Sequence, residues 1–456
     1  MNPAARWHTR IRRAAGLRHA VGLKCAVGLR CAIGLRHSSS VDTLHAQQLS
    51  LQSPPELTYP PDSVHLNPQH FHQVSIRRWL ERDPRPLSIA ELVGFTRQMS
   101  RQKVLASANH VAEELTIRFA HRLRSMQLLP YRLMSHPALL NCYEQYMDSF
   151  EMLRRIGTVH TLEDNEQLIK TSQNLLEKHT QVVTNMIFGM RDLLSRPHKE
   201  GDEELLNDLV KALLTSRLSR RVLVKQHALV TREWQRSQES PLQADRNRVG
   251  EFVLDCRIVD ALDVVEHRAK ATLSRIFAKP VEQMPAVLVE GTPDDLAATF
   301  PYIKQHFEFA LGELLFNSLE ACLRQNTTDP IVVTVSATKS SVLVRISDRA
   351  GGLNPAQEHG LWSFANSSDA STVITPQGLA NHQFFSLLFP AEELPAHTEY
   401  SAEPDSSHYS LGLALSRLYV EYWGGALELH SLPGFGCDAL LRVSRTGRNR
   451  ENLLLT

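Results

Sequence analysis

Features that define several protein classes are missing from this sequence. No apolar run reaches the roughly 18 residues that a transmembrane helix needs, so no membrane span is expected. The six cysteines include no CxxC pair, which argues against a zinc site or a disulfide framework and favours a reducing compartment. The 456 residues, 42% of them hydrophobic and 22% charged, suit a soluble protein of two domains.

Acidic residues are also missing from the start of the chain, where the first of them is Asp42. This basic, acid-poor stretch ends in Ser38–Ser40 and is typical of an organelle transit peptide, predicted here over residues 1–40. The alternative is a basic tail that binds nucleic acid or a membrane. Without the eight basic residues of this stretch, the chain keeps 42 of its 50 basic residues against 49 acidic ones. The mature protein is therefore not expected to bind nucleic acid in general.

Helical patterns follow an irregular stretch. Residues 41–86 are rich in Pro, Gln, Ser and His and show no sustained period. Over 87–236, apolar residues recur at three- and four-residue steps, as at Leu115, Phe119 and Leu123, in four long segments with short breaks. Asp164 is the expected N-cap of the third segment. Amphipathic segments of this kind bury their apolar faces best against one another, which predicts a four-helix bundle.

The pattern changes after a polar stretch at 237–250, which contains Pro241 and is predicted to link two domains. Over 251–445, β-branched runs alternate with helical segments, which indicates an α+β domain with helices on one face of a mostly antiparallel sheet. The runs at 331–338 and 341–347 are separated by two residues and predict a β-hairpin. Residues 446–456 form a predicted tail.

Polar residues in the second domain could carry chemistry. Glu313 and Asn317 are four residues apart on a predicted helix and therefore share a face. A carboxylate can accept a proton from a hydroxyl group, and a carboxamide oxygen can bind Mg²⁺. Further along, a predicted strand ends in Asp348 and enters a turn with Gly351 and Gly352. Such a turn fixes a carboxylate at the sheet edge and lets a ligand approach the backbone closely.

Two further glycine motifs complete the set. Gly412 and Leu413 open a helix, whose free N–H groups suit a phosphate, and Gly434 and Gly436 form a turn before the last strand. Each signal alone is more typical of a solvated helix face or an ordinary turn. Their order is more specific: Glu-x-x-x-Asn, Asp-x-x-Gly-Gly, a long polar segment, Gly-Leu and Gly-x-Gly resemble the nucleotide site of the GHKL ATPases.

Within that superfamily the chain is most similar to the mitochondrial 2-oxoacid dehydrogenase kinases. Segments such as RISDRAGGL at 345–353 and LLTSRLSRRVLVKQHALV at 213–230 resemble the branched-chain enzymes, with the pyruvate dehydrogenase kinases close behind. The resemblance covers roughly residues 87–445 and implies a helical docking bundle followed by a GHKL (Bergerat-type) α/β-sandwich ATP-binding domain. It also implies ATP and Mg²⁺, with K⁺ as a further candidate ion.

The same resemblance assigns roles to individual residues. Glu313 is the base toward a target serine, Asn317 the Mg²⁺ ligand and Asp348 the acceptor of the adenine amino group. Contacts with the nucleotide and its lid are assigned to Gly352, Gly412 and Leu413. A histidine autokinase from the same superfamily is the less favoured alternative, because histidine kinases have a short helix pair with a phospho-acceptor histidine, whereas the resemblance here extends through the bundle. His121, His179 and His227 lie on predicted helices and are expected to be hydrogen-bonded structural residues.

The implied partners belong to a 2-oxoacid dehydrogenase complex in the mitochondrial matrix. Its decarboxylase subunit is the implied substrate, which phosphorylation inactivates, and the lipoyl domain of its acyltransferase core is the implied docking partner. Pairing with an identical or related subunit is also implied. Trp423 and the strand at 426–430 are candidates for that dimer surface, with packing in the core as the alternative.

Several positions depart from the family pattern. Phe316 and Glu320 stand where the family has a lysine and an arginine near the phosphates, which should weaken charge stabilisation. Ala350 replaces a glycine and would be strained at a positive φ. Further replacements occur at Ser410, Ala414 and Cys437. These changes leave open a degenerate family member that acts as a docking or heterodimer partner.

Overall fold

The computed structural model describes residues 75–95, 99–239, 247–364 and 411–453. The predicted transit peptide, most of the irregular 41–86 segment, and residues 240–246 of the predicted linker lie outside these ranges. The same holds for most of the long polar segment, at 365–410, including Ser410, and for the end of the predicted tail.

Helices make up most of the described residues between 75 and 239, which we call the helical half. After a helical stretch at 75–80 they are α1 (Ile89–Phe95), α2 (Arg101–Gln127), α3 (Tyr131–Met134), α4 (Pro137–Ile156), α5 (Leu162–Ser195) and α6 (Asp202–Glu239). The long helices α2, α4, α5 and α6 pack against one another and bury side chains such as Leu123, Phe150 and Val222. They occupy the region in which the sequence predicts four amphipathic segments. Packing of their apolar stripes, rather than helix propensity alone, supplies the stability of such helices.

Side-chain caps fix the beginnings of these helices. Ser100 precedes α2 and accepts the N–H of Lys103 at 3.3 Å. The N-cap of α5 is Thr161, whose hydroxyl accepts the N–H of Asp164, while the Asp164 carboxylate accepts the N–H of Thr161. The expectation that Asp164 itself caps α5 is therefore wrong. Both residues of this reciprocal capping box have side chains suited to the cap, and the first of them starts the helix.

Residues 247–364 and 411–453, which we call the mixed half, contain both strands and helices. Its elements are β1 (Arg248–Val249), β2 (Phe252–Arg257), α7 (Ile258–Phe277), β3 (Val287–Glu290), α8 (Pro293–Leu296), β4 (Thr299–Tyr302), α9 (Lys304–Arg324), β5 (Ile331–Ala337), β6 (Ser341–Ser347), α10 (Pro355–Gly360), α11 (Leu411–Tyr422), β7 (Ala426–Leu432) and β8 (Gly436–Ser444). One sheet has the strand order β3-β5-β6-β8-β7, and a smaller sheet has the order β1-β2-β4.

The larger sheet is mostly antiparallel. Its β3–β5 pair is parallel, whereas β5–β6, β6–β8 and β7–β8 are antiparallel. The predicted hairpin is confirmed, with Val335 opposite Val344. Alternate residues of β5 and β6 are buried, and α9 and α11 contact the sheet while α7 packs against α9. The chain is α+β, as predicted. Among the described helices, none is long and apolar enough to cross a membrane.

A buried charged cluster joins the end of the chain to α2. Glu451, beyond β8, accepts hydrogen bonds from the Arg118 guanidinium and the Tyr422 hydroxyl, and each of these three residues is at most 5% exposed. The Nε of Arg118 also donates to Glu114 at 2.9 Å. A buried charge that loses its partner destabilises a fold strongly. The cluster therefore fixes the helical half against the mixed half.

Candidate active site

Helix α9 carries the two residues that the sequence places on one face. Its apolar residues, among them Phe307, Leu311 and Leu315, are buried, and the helix packs between α7 and α11. Glu313 and Asn317 are half-buried. Because residues four apart on a helix are neighbours on its surface, the carboxylate and the carboxamide lie on the same side of α9.

Asp348 lies where β6 ends and is 6% exposed. Its Oδ1 accepts the N–H groups of Ala350 and Cys437 at 3.1 and 3.2 Å. Its Oδ2 accepts the hydroxyl of Ser318 at 3.1 Å. Ser318 directly follows Asn317, so this hydrogen bond joins α9 to the end of β6. Ser318 was not among the predicted site residues, because its partner lies 30 residues away and nothing in the local pattern indicates the contact.

The surroundings of Asp348 set its protonation. Burial raises the pKa of this carboxyl group, while hydrogen bonds from Ala350, Cys437 and Ser318 oppose the rise, and the Asp438 carboxylate adds to it. The three donors hold the carboxylate in one orientation. When ionised, it can accept a further hydrogen bond from an amino group, which is the property that recognition of adenine requires.

Two glycines allow close packing beside Asp348. Gly352 has a φ of +70°, and a Cβ there would lie 2.4 Å from the carbonyl oxygen of Leu432. At Gly436, a Cβ would lie 2.1 Å from the carbonyl oxygen of Asp348. A larger residue at either position would push the turn after β6 away from the turn between β7 and β8.

Gly412, the second residue of α11, lies directly against Glu313. A Cβ at position 412 would lie 2.1 Å from Oε2 and 2.9 Å from Cδ of Glu313. The missing side chain leaves room for the Glu313 carboxylate beside the first turn of α11. The neighbouring Leu413 is half-buried and packs against the hydrophobic core. The structure thus brings Glu313 and Gly412 together, although 98 residues of sequence separate them.

Three of the altered family positions are accommodated locally. In the part of the chain that the structure describes, the non-glycine residues with positive φ are Ala278 and Asn326, so Ala350 does not carry the strain considered above. Glu320 is 8% exposed and pairs with Arg324 at 2.7 Å, which balances its charge. Burial raises the pKa of the Cys437 thiol, and the residue contacts Asp348 through its backbone N–H.

Other residues singled out from the sequence have structural roles. Trp423 is 2% exposed and packs against Phe252 and Tyr422, so of the two alternatives considered for it, core packing is correct. The strand at 426–430 belongs to β7, which lies at the edge of the larger sheet. As expected, the helical histidines are hydrogen-bonded, with His179 2.7 Å from the Ser149 hydroxyl and His227 2.7 Å from the Asn165 carboxamide.

Comparison with known proteins identifies relatives over most of the chain. Residues 86–251 match the family model of the mitochondrial branched-chain alpha-ketoacid dehydrogenase kinase. Mitochondrial [pyruvate dehydrogenase (acetyl-transferring)] kinase 2 of Saccharomyces cerevisiae is 28% identical over 87% of this chain and 90% of its own length. The mitochondrial [pyruvate dehydrogenase (acetyl-transferring)] kinase of Arabidopsis thaliana is 24% identical over 80% of this chain and 92% of its own length.

A human relative gives the same result. Mitochondrial [pyruvate dehydrogenase (acetyl-transferring)] kinase isozyme 3 of Homo sapiens is 25% identical over 80% of this chain and 84% of its own length. The family model covers most of the helical half, and these relatives extend the similarity to 80–87% of the chain. The chain is therefore similar to mitochondrial 2-oxoacid dehydrogenase kinases over most of its length.

Proposed function

We propose that this protein is an ATP-dependent protein-serine kinase that phosphorylates a 2-oxoacid dehydrogenase complex in mitochondria. The observation that carries the proposal is the position of Glu313. Its carboxylate lies against Gly412 on one side of α9, while Ser318 of the same helix bonds to the buried Asp348. One helix therefore links a candidate base to a candidate adenine-binding carboxylate.

The roles proposed for the side chains follow from their chemistry. Glu313 accepts the proton of the substrate serine hydroxyl as phosphoryl transfer proceeds. Asp348 accepts the adenine amino group, and the backbone at Gly352 and at Gly412–Leu413 contacts the nucleotide. The half-buried carboxamide of Asn317 suits Mg²⁺, which binds few protein oxygens and keeps water and phosphate ligands. When bound, Mg²⁺ would supply charge neutralisation at the phosphates.

The finer features of the family are part of the same proposal. We propose a four-helix docking bundle over 87–236, a linker at 237–250 and a GHKL-type ATP-binding domain over 251–445. The bundle docks on the lipoyl domain of the acyltransferase core, and phosphorylation inactivates the decarboxylase subunit. The protein acts in the mitochondrial matrix as a homodimer or a heterodimer, and K⁺ is a further candidate ion.

Labelled phosphate transfer tests the proposal. The purified full-length protein is incubated with [γ-³²P]ATP and Mg²⁺, together with either pyruvate dehydrogenase complex or branched-chain 2-oxoacid dehydrogenase complex. We expect acid-stable label on the decarboxylase subunit of one complex, which also identifies the substrate. The Glu313→Gln variant should give no label while still binding ATP. Acid-labile label on the kinase itself would instead indicate a histidine autokinase.

A non-catalytic family member is the second candidate, motivated by Phe316 and Glu320 where the family has cations. It predicts that the protein binds the complex without transferring phosphate. Binding of the protein to each complex, measured in the same samples by co-sedimentation, distinguishes the candidates. Binding without label in either complex would contradict the kinase proposal.

A further inference from the structure

One turn of α6 contacts the chain on both sides of the 365–410 segment. Asn207 and Lys211 are four residues apart on this helix and so lie on one face. Both belong to the helical half, whereas their partners belong to the half that carries Asp348 and Gly412. Both side chains make hydrogen bonds or ion pairs with that second half.

Asn207 bonds to the chain that follows the Gly352 turn. Its Oδ1 accepts the N–H of Phe364 at 2.8 Å, and its Nδ2 donates to the Ser363 hydroxyl at 2.9 Å. Phe364 is 3% exposed and belongs to the hydrophobic core. The backbone twelve residues beyond Gly352 is therefore fixed to α6 by a side-chain amide, while the Phe364 ring anchors it in the core.

Lys211 bonds to α11, the helix whose second residue is Gly412. Its Nζ lies 3.1 Å from Glu421 of α11, and Glu421 also accepts Arg417 Nε at 2.7 Å. Burial would raise the pKa of Glu421, but the hydrogen bonds from Arg417 and Lys211 outweigh it and lower the pKa. Glu421 is thus a charged link between α6 and α11 at neutral pH.

The two flanks also contact each other. The guanidinium of Arg417 lies 4.8 Å from the centre of the Trp362 ring, in a cation–π arrangement. Contacts therefore run from Asn207 to Ser363 and Phe364, through Trp362 to Arg417 and Glu421, and back to Lys211. We call this closed set of residues the α6 clasp.

We infer that Asn207 and Lys211 are positioning residues of the nucleotide site, which hold the segments bearing Gly352 and Gly412 against α9. This inference rests on the proposed function. Gly412 lies within contact distance of Glu313, so a shift of α11 would change the room available to the Glu313 carboxylate. Nucleotide affinity then depends on residues of the helical half that do not touch the nucleotide, and coupling of this kind is reciprocal.

Variants of Asn207 provide the first test. Asn207→Leu keeps the size of the side chain but removes its hydrogen bonds, whereas Asn207→Asp keeps the acceptor for the Phe364 N–H. Mg-ATP dissociation constants are measured by isothermal titration calorimetry on the full chain. We expect Asn207→Leu to raise the Kd about tenfold, as for one to two net hydrogen bonds lost. Asn207→Asp should stay within about twofold of the wild type.

Gln226 offers a matched control on the same helix. Its Oε1 accepts the N–H of Glu251 at 2.9 Å, so it also joins α6 to the mixed half, but at the β1–β2 turn. Gln226→Leu should lower the melting temperature while leaving the Kd for Mg-ATP unchanged. Lys211→Met supplies a second variant, at a half-buried position, and should raise the Kd two- to threefold.

The outcomes separate the inference from the proposed function. If the wild type binds no Mg-ATP, the proposed function fails and the inference fails with it. If the wild type binds Mg-ATP but Asn207→Leu and Lys211→Met bind it equally well, the inference alone is overturned. Equal weakening by Gln226→Leu would also overturn it, because a general loosening between the halves would then explain the effect.

Discussion

Replacing Gly412 by alanine should lower the rate of phosphoryl transfer while leaving the stability of the fold nearly unchanged. The added Cβ would lie 2.1 Å from Oε2 of Glu313, whereas a carbon normally stays about 3.3 Å or more from an oxygen. The carboxylate must therefore move by about 1 Å. Because Glu313 ends in a flexible side chain, the fold can absorb this displacement at little cost.

The backbone itself tolerates alanine. Gly412 is not among the glycines with positive φ, and alanine is favoured over glycine in a helix by up to about 1 kcal/mol. Stability should therefore change by no more than about 1 kcal/mol in either direction. A misplacement of about 1 Å in a reacting group can reduce a rate about 100-fold. We accordingly expect kcat for phosphoryl transfer to fall about 100-fold.

The assay combines initial rates of phosphate transfer to the dehydrogenase complex with thermal denaturation of the same preparations. Gly94→Ala is the matched control, since a Cβ at position 94 of α1 would meet nothing within 4 Å. It should leave kcat unchanged. A Gly412→Ala protein with wild-type kcat would refute the assignment of Glu313 as the base, because its carboxylate could not have kept its position.

Further substitutions test the surroundings of Asp348 and the buried charged cluster. Ser318→Ala should raise the Kd for ATP about tenfold, since a hydrogen bond to a charged group is lost, but leave the Kd for purine riboside triphosphate, which lacks the amino group, unchanged. Calorimetry showing equal losses for both nucleotides would contradict a role through Asp348. Asp348→Asn should abolish ATP binding. Since burial raises the pKa of Asp348, the stabilisation that it contributes is present in acid and lost as pH rises through that pKa. Thermal denaturation should therefore show the wild type gaining stability relative to Asp348→Asn toward acidic pH, and a constant difference would contradict the raised pKa. Glu451→Ala removes one of the two carboxylates that pair with the buried Arg118 and should cost about 3–5 kcal/mol in urea unfolding. Arg196→Ala, which breaks an exposed pair with Asp192, should cost less than about 1 kcal/mol, and equal costs would argue against this account of the cluster.

Periodicity predicted the local elements of this protein well. The hairpin of β5 and β6 follows from two alternating runs with a short turn, and the shared face of Glu313 and Asn317 follows from helical spacing. At the start of α5, two residues suited to capping stand three positions apart, and the pattern alone did not decide between them. Trp423 shows the same limit, because an aromatic residue suits either a core or an interface.

The sequence pattern did not predict which distant residues come into contact. The hydrogen bond from Ser318 to Asp348, the approach of Gly412 to Glu313 and the α6 clasp join elements that are brought together by the whole fold. In the sequence, Ser318, Gly412 and Asn207 look like ordinary helix residues. Their partners are selected by the packing of α9, α11 and α6, which depends on many buried side chains at once.

The same contacts explain how the site tolerates its altered residues. Ala350 needs no left-handed backbone, since Gly351 and Gly352 adopt the positive φ values, and its N–H still donates to Asp348. Cys437 also reaches Asp348 through its backbone, so the change of side chain leaves that hydrogen bond in place. Every residue except proline carries a backbone N–H, so these hydrogen bonds do not depend on the side chain.

The two lost cations differ in their effect on the charge near the phosphates. Glu320 introduces a negative charge, but Arg324 pairs with it one turn later, so the pair adds no net charge near α9. Phe316 differs, because an aromatic ring cannot replace an ammonium group near phosphate. A slow kinase is therefore a more consistent expectation than an inactive one. Phe316→Lys, which restores the family cation, should increase kcat in the phosphate-transfer assay without changing the Kd for docking to the complex. A variant no faster than the wild type would show that charge at position 316 does not limit the rate.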